Sequence, residues 1–223
     1  MQRKFDFEVG ECYHIFNRGV EKRAIFQQDS DWVRFQDLLY LANGDKPLIF
    51  KLFQGLPLEQ ERGNMHASII AYSLMPNHFH MIGREDKEAG LSRLMGKLST
   101  SYSMYFNVKY ERSGHLLCHP FRARHIDSDD YLRWVLSYVH LNPLDIMDPG
   151  WLKRGSIDCN KAVKFLQSFA FSSYPDYFLE ERKVTKIINK SALPIEIDEL
   201  ESVEEMLKEL RDPPESSPLT FQG

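Results

Sequence analysis

Between residues 67 and 142 the hydrophobic pattern changes period three times. From Ala67 to Arg84 it reads as two strands, over 67–74 and 78–84, joined at Met75-Pro76-Asn77. Alternation puts His78 and His80 on one face of the second strand, with Phe79 and Met81 on the other. Residues 89–110 carry a helical stripe of Leu91, Leu94, Met95, Leu98, Tyr102, Tyr105 and Phe106. These aromatic residues are read as core, not as stacking platforms. Residues 121–126 return to period two, with Arg122 and Arg124 projecting from one face. Residues 129–141 are helical again, with Ser128 or Asp129 as the N-cap. Pro143 is expected to push Asn142 out of the helical region and end that helix.

A strand over 11–18 and a helix over 30–42 precede this stretch, and residues 47–66, with Gly55, Pro57 and Gly63, read as an insertion. Hairpin-joined strands with long helices between them predict an α+β fold, an antiparallel sheet with helices packed on it. One main domain over 1–180 is expected, followed by an acidic extension over 181–223. In that extension Leu200, Val203, Met206, Leu207 and Leu210 mark a short amphipathic helix over 198–211, docked on the core, shielding the DNA site, or simply a loosely held tail. The end, from Pro213 to Gly223, reads as disordered, and its final Phe-Gln-Gly is compatible with a cloning remnant.

Composition alters this picture little: 43% hydrophobic and 27% charged residues are ordinary for a globular protein. No apolar run approaches a membrane span, the amino terminus lacks a signal-peptide core, and Cys12, Cys118 and Cys159 are scattered. A cytoplasmic protein is expected. The net charge of −4 is distributed unevenly. Residues 191–223 hold nine acidic residues against Lys208 and Arg211, which leaves the first 190 residues at +3. A basic surface for phosphates is therefore available despite the acidic whole. Its candidates are Arg18, Arg84, Arg93, Lys97, Arg122 and Arg124, with Lys109 and Arg112 behind them.

The chemistry concentrates in two segments. His78 and His80, about 7 Å apart along a strand, can tilt onto one divalent ion. Tyr138 and Asn142, four apart, share a helix face and add a phenol and a carboxamide. His140 lies off that face and reads as structural. Spacing alone leaves the bland alternative open, two half-exposed histidines and a core tyrosine.

The order of five motifs changes the weighting. Tyr13-His14-Ile15-Phe16-Asn17-Arg18-Gly19, Ala71 through His80, Ser101 through Asn107, Ser113-Gly114-His115-Leu116 and Tyr138-Val139-His140-Leu141-Asn142-Pro143 resemble, in sequence, the single-tyrosine HUH transposases. The branch most similar is the one associated with repeated extragenic palindromes. The resemblance implies a ferredoxin-like core and a metal-dependent single-stranded DNA endonuclease and strand transferase acting at or near hairpins. It implies His78 and His80 as metal ligands, Tyr138 as the nucleophile that forms a 5′-phosphotyrosine, and Mg²⁺ or Mn²⁺ as the ion; a monomer and a homodimer are both compatible with the sequence. Asn142 stands where relatives often carry a ligating glutamine. Leu117-Cys118-His119-Pro120-Phe121-Arg122 also departs from the family pattern.

Two other readings compete. One is a domesticated relative that binds hairpin DNA or structured RNA without cutting it. The other is a zinc protein built from His78, His80 and some of His115, Cys118, His119 and His125.

Overall fold

Antiparallel pairing organises the chain. The computed structural model describes residues 6–48, 56–194, 202–211 and 213. It contains strands β1 (Cys12–Arg18), β2 (Ser68–Met75), β3 (His78–Arg84) and β4 (Arg122–Ile126) in one sheet of order β2-β3-β1-β4. Every neighbouring pair is antiparallel. Helix α1 (Asp29–Ala42) links β1 to β2, and α2 (Gly90–Lys109) links β3 to β4. This βαββαβ succession is the ferredoxin-like arrangement expected from the sequence. Helix α3 (Asp129–Leu141) follows, then the short helices α4 (Leu144–Met147), α5 (Trp151–Arg154), α6 (Cys159–Ser168), α7 (Tyr174–Phe178) and α8 (Val203–Glu209).

The sheet separates two apolar cores. On one face Tyr13, Ile15, Phe79 and Met81 pack with Phe35, Leu38 and Leu39 of α1 and Leu91, Leu98, Tyr102 and Phe106 of α2. On the other, Cys12, Ile82 and Ile126 pack with Tyr131, Val135 and Val139 of α3 and with residues of α6 and α8. A bulge in β2 between Ile69 and Ala71 lets Ile70 and Ala71 both join the α3 side. The aromatic stripe of α2 is core as read, since Tyr102 and Phe106 are buried.

One local expectation needs correction. Pro143 does not expel Asn142 from helical geometry: Asn142 has φ −52°, ψ −38° and Pro143 φ −59°, ψ −19°. The helix nevertheless ends where expected, at Leu141: Asn142 and Pro143 form a turn, and Pro143, whose missing N–H costs nothing there, is the N-cap of α4. Residues 56–66 of the expected insertion fold onto α1. The Arg62 guanidinium lies 4.1 Å from the Tyr40 ring centroid, and Tyr40 Oη donates to the Gln60 carbonyl at 3.1 Å. Of the acidic helix expected over 198–211, the described part, Val203–Glu209, docks on the core: Val203, Met206, Leu207 and Leu210 are buried, and Ser137 Oγ of α3 donates to Glu209 Oε2 at 2.7 Å. Leu200 and the segment beyond Pro213 lie outside the described residues.

One polar network holds α1 against α2. The buried Asp31 carboxylate accepts from Gln27 N and Gln28 N at 2.8 and 3.0 Å, and from Lys109 Nζ, Tyr110 Oη and Tyr105 Oη at 2.6, 2.6 and 2.9 Å. Burial alone would raise its pKa, but these donors together hold it below the ordinary value of 3.8. A depressed carboxyl pKa contributes stability above the unfolded value and loses it as pH falls through the folded one. Thermal stability should therefore drop as pH falls below 3.8. Asp31→Asn should cost about 2–3 kcal/mol at neutral pH and show a flatter acid limb in thermal melts.

Candidate active site

The strand face toward α3 carries the candidate residues. Alternation along β1 places His14, Phe16 and Arg18 there, and alternation along β3 adds His78 and His80. Antiparallel register sets Phe16 opposite His80 and Arg18 opposite His78. Tyr138 reaches this face from α3. Its ring lies 5.1 Å from that of His80 and perpendicular to it, 6.1 Å from that of His14, and stacked at 5.6 Å on Trp134. The structure thus brings Tyr138 to the histidine pair within one chain.

The two histidines differ in setting. His80 is 4% exposed, and its Nδ1 lies 2.9 Å from His14 Nε2. His78 is half-buried, its ring centroid 5.1 Å from that of His80. Its Nδ1 lies 2.6 Å from Asn77 Oδ1, and a carbonyl oxygen can only accept, so Nδ1 carries the proton. The turn that supplies Asn77 is pinned: Pro76 O accepts from Ile25 N and Phe26 N, and Asn77 O accepts from Gly19 N.

All three imidazoles of the face are neutral at pH 7. Burial, reinforced by Arg124, lowers His14 to about 3. Burial lowers His78 to about 4, opposed by the Asn142 carboxamide and Asp145 and aided by Arg18. His80 falls well below its usual value through burial, then through His14 and His78. Neutral imidazoles keep a lone pair for a metal ion. Burial and then Asp145 push the Tyr138 phenol well above its usual range.

A divalent ion implied by the resemblance can be tested against these donors. His78 and His80 both have Nδ1 engaged, so an ion on either must use Nε2. The Asn142 carboxamide sits close enough to His78 to favour its protonated form, yet its buried Oδ1 makes no well-formed hydrogen bond. Two imidazole nitrogens and an amide oxygen form a donor set that accepts Mn²⁺ by ligand type, and Mg²⁺ follows only from the resemblance. Among the described residues, no three His, Cys, Asp or Glu side chains converge as a metal cluster. The zinc reading finds no such centre there: His125 Nε2 instead meets Glu11 Oε2 at 2.7 Å.

The basic candidates separate by location. Arg18 lies beside His78, and Arg124 faces His14 across the sheet with its guanidinium 5.4 Å from the Tyr131 ring centroid. Arg122, opposite Phe16, is exposed. Arg84 lies at the far end of β3, paired with Asp86 at 2.9 Å. Arg93 and Lys97 sit on α2, which packs against the opposite sheet face, and Lys97 Nζ donates to the Gly44 and Lys46 carbonyls. The structure brings Arg18, Arg122 and Arg124 to the Tyr138 face and leaves the other three away from it. His140 is structural as read, fully buried with Nε2 3.1 Å from Ser173 Oγ.

Comparison with known proteins falls on this same region. Residues 58–142 match the family described as "Transposase IS200 like", a stretch that spans β2 to α3 and includes His78, His80, Tyr138 and Asn142. Over that stretch the chain is similar to IS200-like transposases, in line with the motif resemblance. A solved structure, "Structure of the REP associates tyrosine transposase bound to a REP hairpin", shares 11% identity with a TM-score of 0.47, covering 80% of this chain and 85% of that one. No curated protein matches the chain. No helix among the described residues is long and apolar enough to cross a membrane.

Proposed function

We propose that this chain cuts and rejoins single-stranded DNA through a 5′-phosphotyrosine on Tyr138, at or near hairpins, with residues 1–180 as the nuclease domain and 181–223 as an acidic extension. The observation that carries the reading is the perpendicular approach of Tyr138 to His80, 5.1 Å between ring centroids, on a face that also holds His78. The IS200-like match over the same residues supports it. The setting would be the cytoplasm, with the chain acting on nucleoid DNA.

The residues divide the work. His78 Nε2, His80 Nε2 and Asn142 Oδ1 would hold Mg²⁺ or Mn²⁺, which supplies Lewis-acid polarisation of a phosphate oxygen. Arg18 and Arg122 neutralise neighbouring phosphates and set the strand's register, with Arg124 completing the basic rim beside Tyr131. Tyr138 Oη attacks phosphorus, loses its proton as the O–P bond forms, and displaces the 3′ oxygen, which leaves protonated as a hydroxyl. The same hydroxyl, or one from another strand, reverses the step. The ester bond energy is conserved, so no nucleotide cofactor is required.

The test is incubation of the protein with labelled single-stranded hairpin DNA from the flanks of its own gene, with Mg²⁺ or Mn²⁺, followed by a denaturing protein gel. A covalent band that forms with the metal and does not form when chelator is present from the start supports the proposal. Bound DNA without an adduct in either metal overturns the cutting step. The basic rim yields a further prediction: Arg122→Ala should weaken DNA binding about equally for all sequences and lower the slope of log K against log salt by about 0.7, the single-strand value for one phosphate. Arg93→Ala, on the opposite face, should leave that slope unchanged.

A further inference from the structure

The motif Tyr13 through Gly19 contains a histidine for which the proposed chemistry has no role. His14 is fully buried in the sheet, and a fully buried imidazole is a poor core residue unless its nitrogens are used. It sits between the two groups on which the proposed reaction depends, with ring centroids 5.1 Å from His80 and 6.1 Å from Tyr138.

His78 shows what such a neighbour does. Its Nδ1–H donates to Asn77 Oδ1, which fixes the tautomer and presents the Nε2 lone pair. His80 has no asparagine beside it; its Nδ1 meets His14 Nε2 at 2.9 Å. Between two neutral imidazoles one nitrogen donates and the other accepts. Were His14 Nε2 the donor, His80 would carry its proton on Nε2 and could not ligate through it. For His80 to offer Nε2, its Nδ1 must donate and His14 Nε2 must accept.

We infer that His14 is the positioning residue of the metal pair: its Nε2 accepts from His80 Nδ1–H, fixes the His80 ring, and presents His80 Nε2 to the ion. The inference rests on the metal-dependent reading above. Register supports it, since β1 is the central neighbour of β3 and residues 14 and 80 project from the same face of adjacent strands. Partners of this kind orient metal ligands, and their loss typically lowers metal affinity about 10–100-fold.

Two measurements test it. In the metal-free protein, long-range ¹H–¹⁵N spectra of the imidazoles should show His80 protonated at Nδ1. His14→Leu, which keeps bulk but removes the acceptor, should shift His80 toward the other tautomer. His14→Gln, whose amide oxygen reaches the place of Nε2, should restore the first. In parallel, Mn²⁺ binding followed by electron paramagnetic resonance should weaken about 10–100-fold in His14→Leu and recover to within a few-fold in His14→Gln. Circular dichroism melts confirm that each variant is folded.

A His80 protonated at Nε2 in the wild type overturns the inference. So does a folded His14→Leu that binds Mn²⁺ like the wild type, or a His14→Gln as weak as His14→Leu, which would make the role one of volume alone. If the wild type binds no Mn²⁺ while the tautomer still depends on residue 14, the metal reading fails and the positioning of His80 stands.

Discussion

Tyr138→Phe is expected to abolish the covalent protein–DNA adduct and to lower strand cleavage by about 10⁴-fold or more, the scale on which enzymes lose rate when a nucleophile is removed. The substitution is a clean one. Phenylalanine keeps the ring stacked on Trp134 and perpendicular to His80, so the fold should lose no more than about 1 kcal/mol. DNA affinity should stay within a few-fold of wild type, because the phosphate contacts assigned to Arg18 and Arg122 remain. Loss of the adduct with DNA binding retained assigns the nucleophile. An adduct that persists in the variant moves it to another side chain, and Tyr131, also on α3 and buried beneath Arg124, is the nearest chemical alternative.

The resting geometry shapes how that experiment reads. Tyr138 is 5% exposed and burial holds its phenol protonated, so its hydroxyl is not displayed to solvent in this state. A phosphate that reaches it displaces part of the aromatic packing around it. Trp134 reports that step directly: its fluorescence should change on binding of single-stranded DNA, and the change should survive in Tyr138→Phe, because it follows binding and not chemistry. The partner of α3 on its outer side is α8, joined through Ser137 and Glu209. Any movement of the tyrosine helix is therefore coupled to the acidic extension.

Much of this arrangement was legible in the sequence because it depends on period. Alternation over 78–84 assigns His78 and His80 to one face without reference to any neighbour, and the four-residue spacing of Tyr138 and Asn142 does the same for α3. What local pattern cannot give is which strands become neighbours. His14 was visible as a residue of a motif, but its role depends on β1 lying beside β3, a pairing between residues 66 positions apart. The signal that could have found it was present: His14, Phe16 and Arg18 alternate as His78 and His80 do, and pairing the two strands antiparallel puts those faces together. The basic residues show the same limit. Arg93 and Lys97 look as suitable as Arg122 by composition, yet the side of the sheet on which α2 packs takes them away from Tyr138. The junction at Asn142-Pro143 depends on a different kind of context. A proline disfavours helical geometry before it, but the preference is small enough for α4 to override it.

His80→Ala should have the second largest effect, and on a different observable. Loss of a supporting partner already lowers metal affinity about 10–100-fold, so loss of a ligand should cost about 10²-fold or more. Mn²⁺ titration followed by electron paramagnetic resonance reads this without any DNA. The same variant should also be less stable by about 2–4 kcal/mol, since it removes a buried ring and strips His14 of its partner at 2.9 Å. His78→Ala should weaken metal binding to a similar degree with a smaller loss of stability, because His78 and its Nδ1 partner Asn77 are both only half-buried. That split between the two histidines is the discriminating result. Were the histidines merely packed, metal binding would be absent in all three proteins and only His80→Ala would be costly. Asn142→Ala should fall between the extremes, since its carboxamide oxygen is buried without a hydrogen bond and its removal relieves that cost while deleting one donor. A variant that gains stability yet loses Mn²⁺ affinity would identify Asn142 as a group whose position is set by the ion and not by the fold.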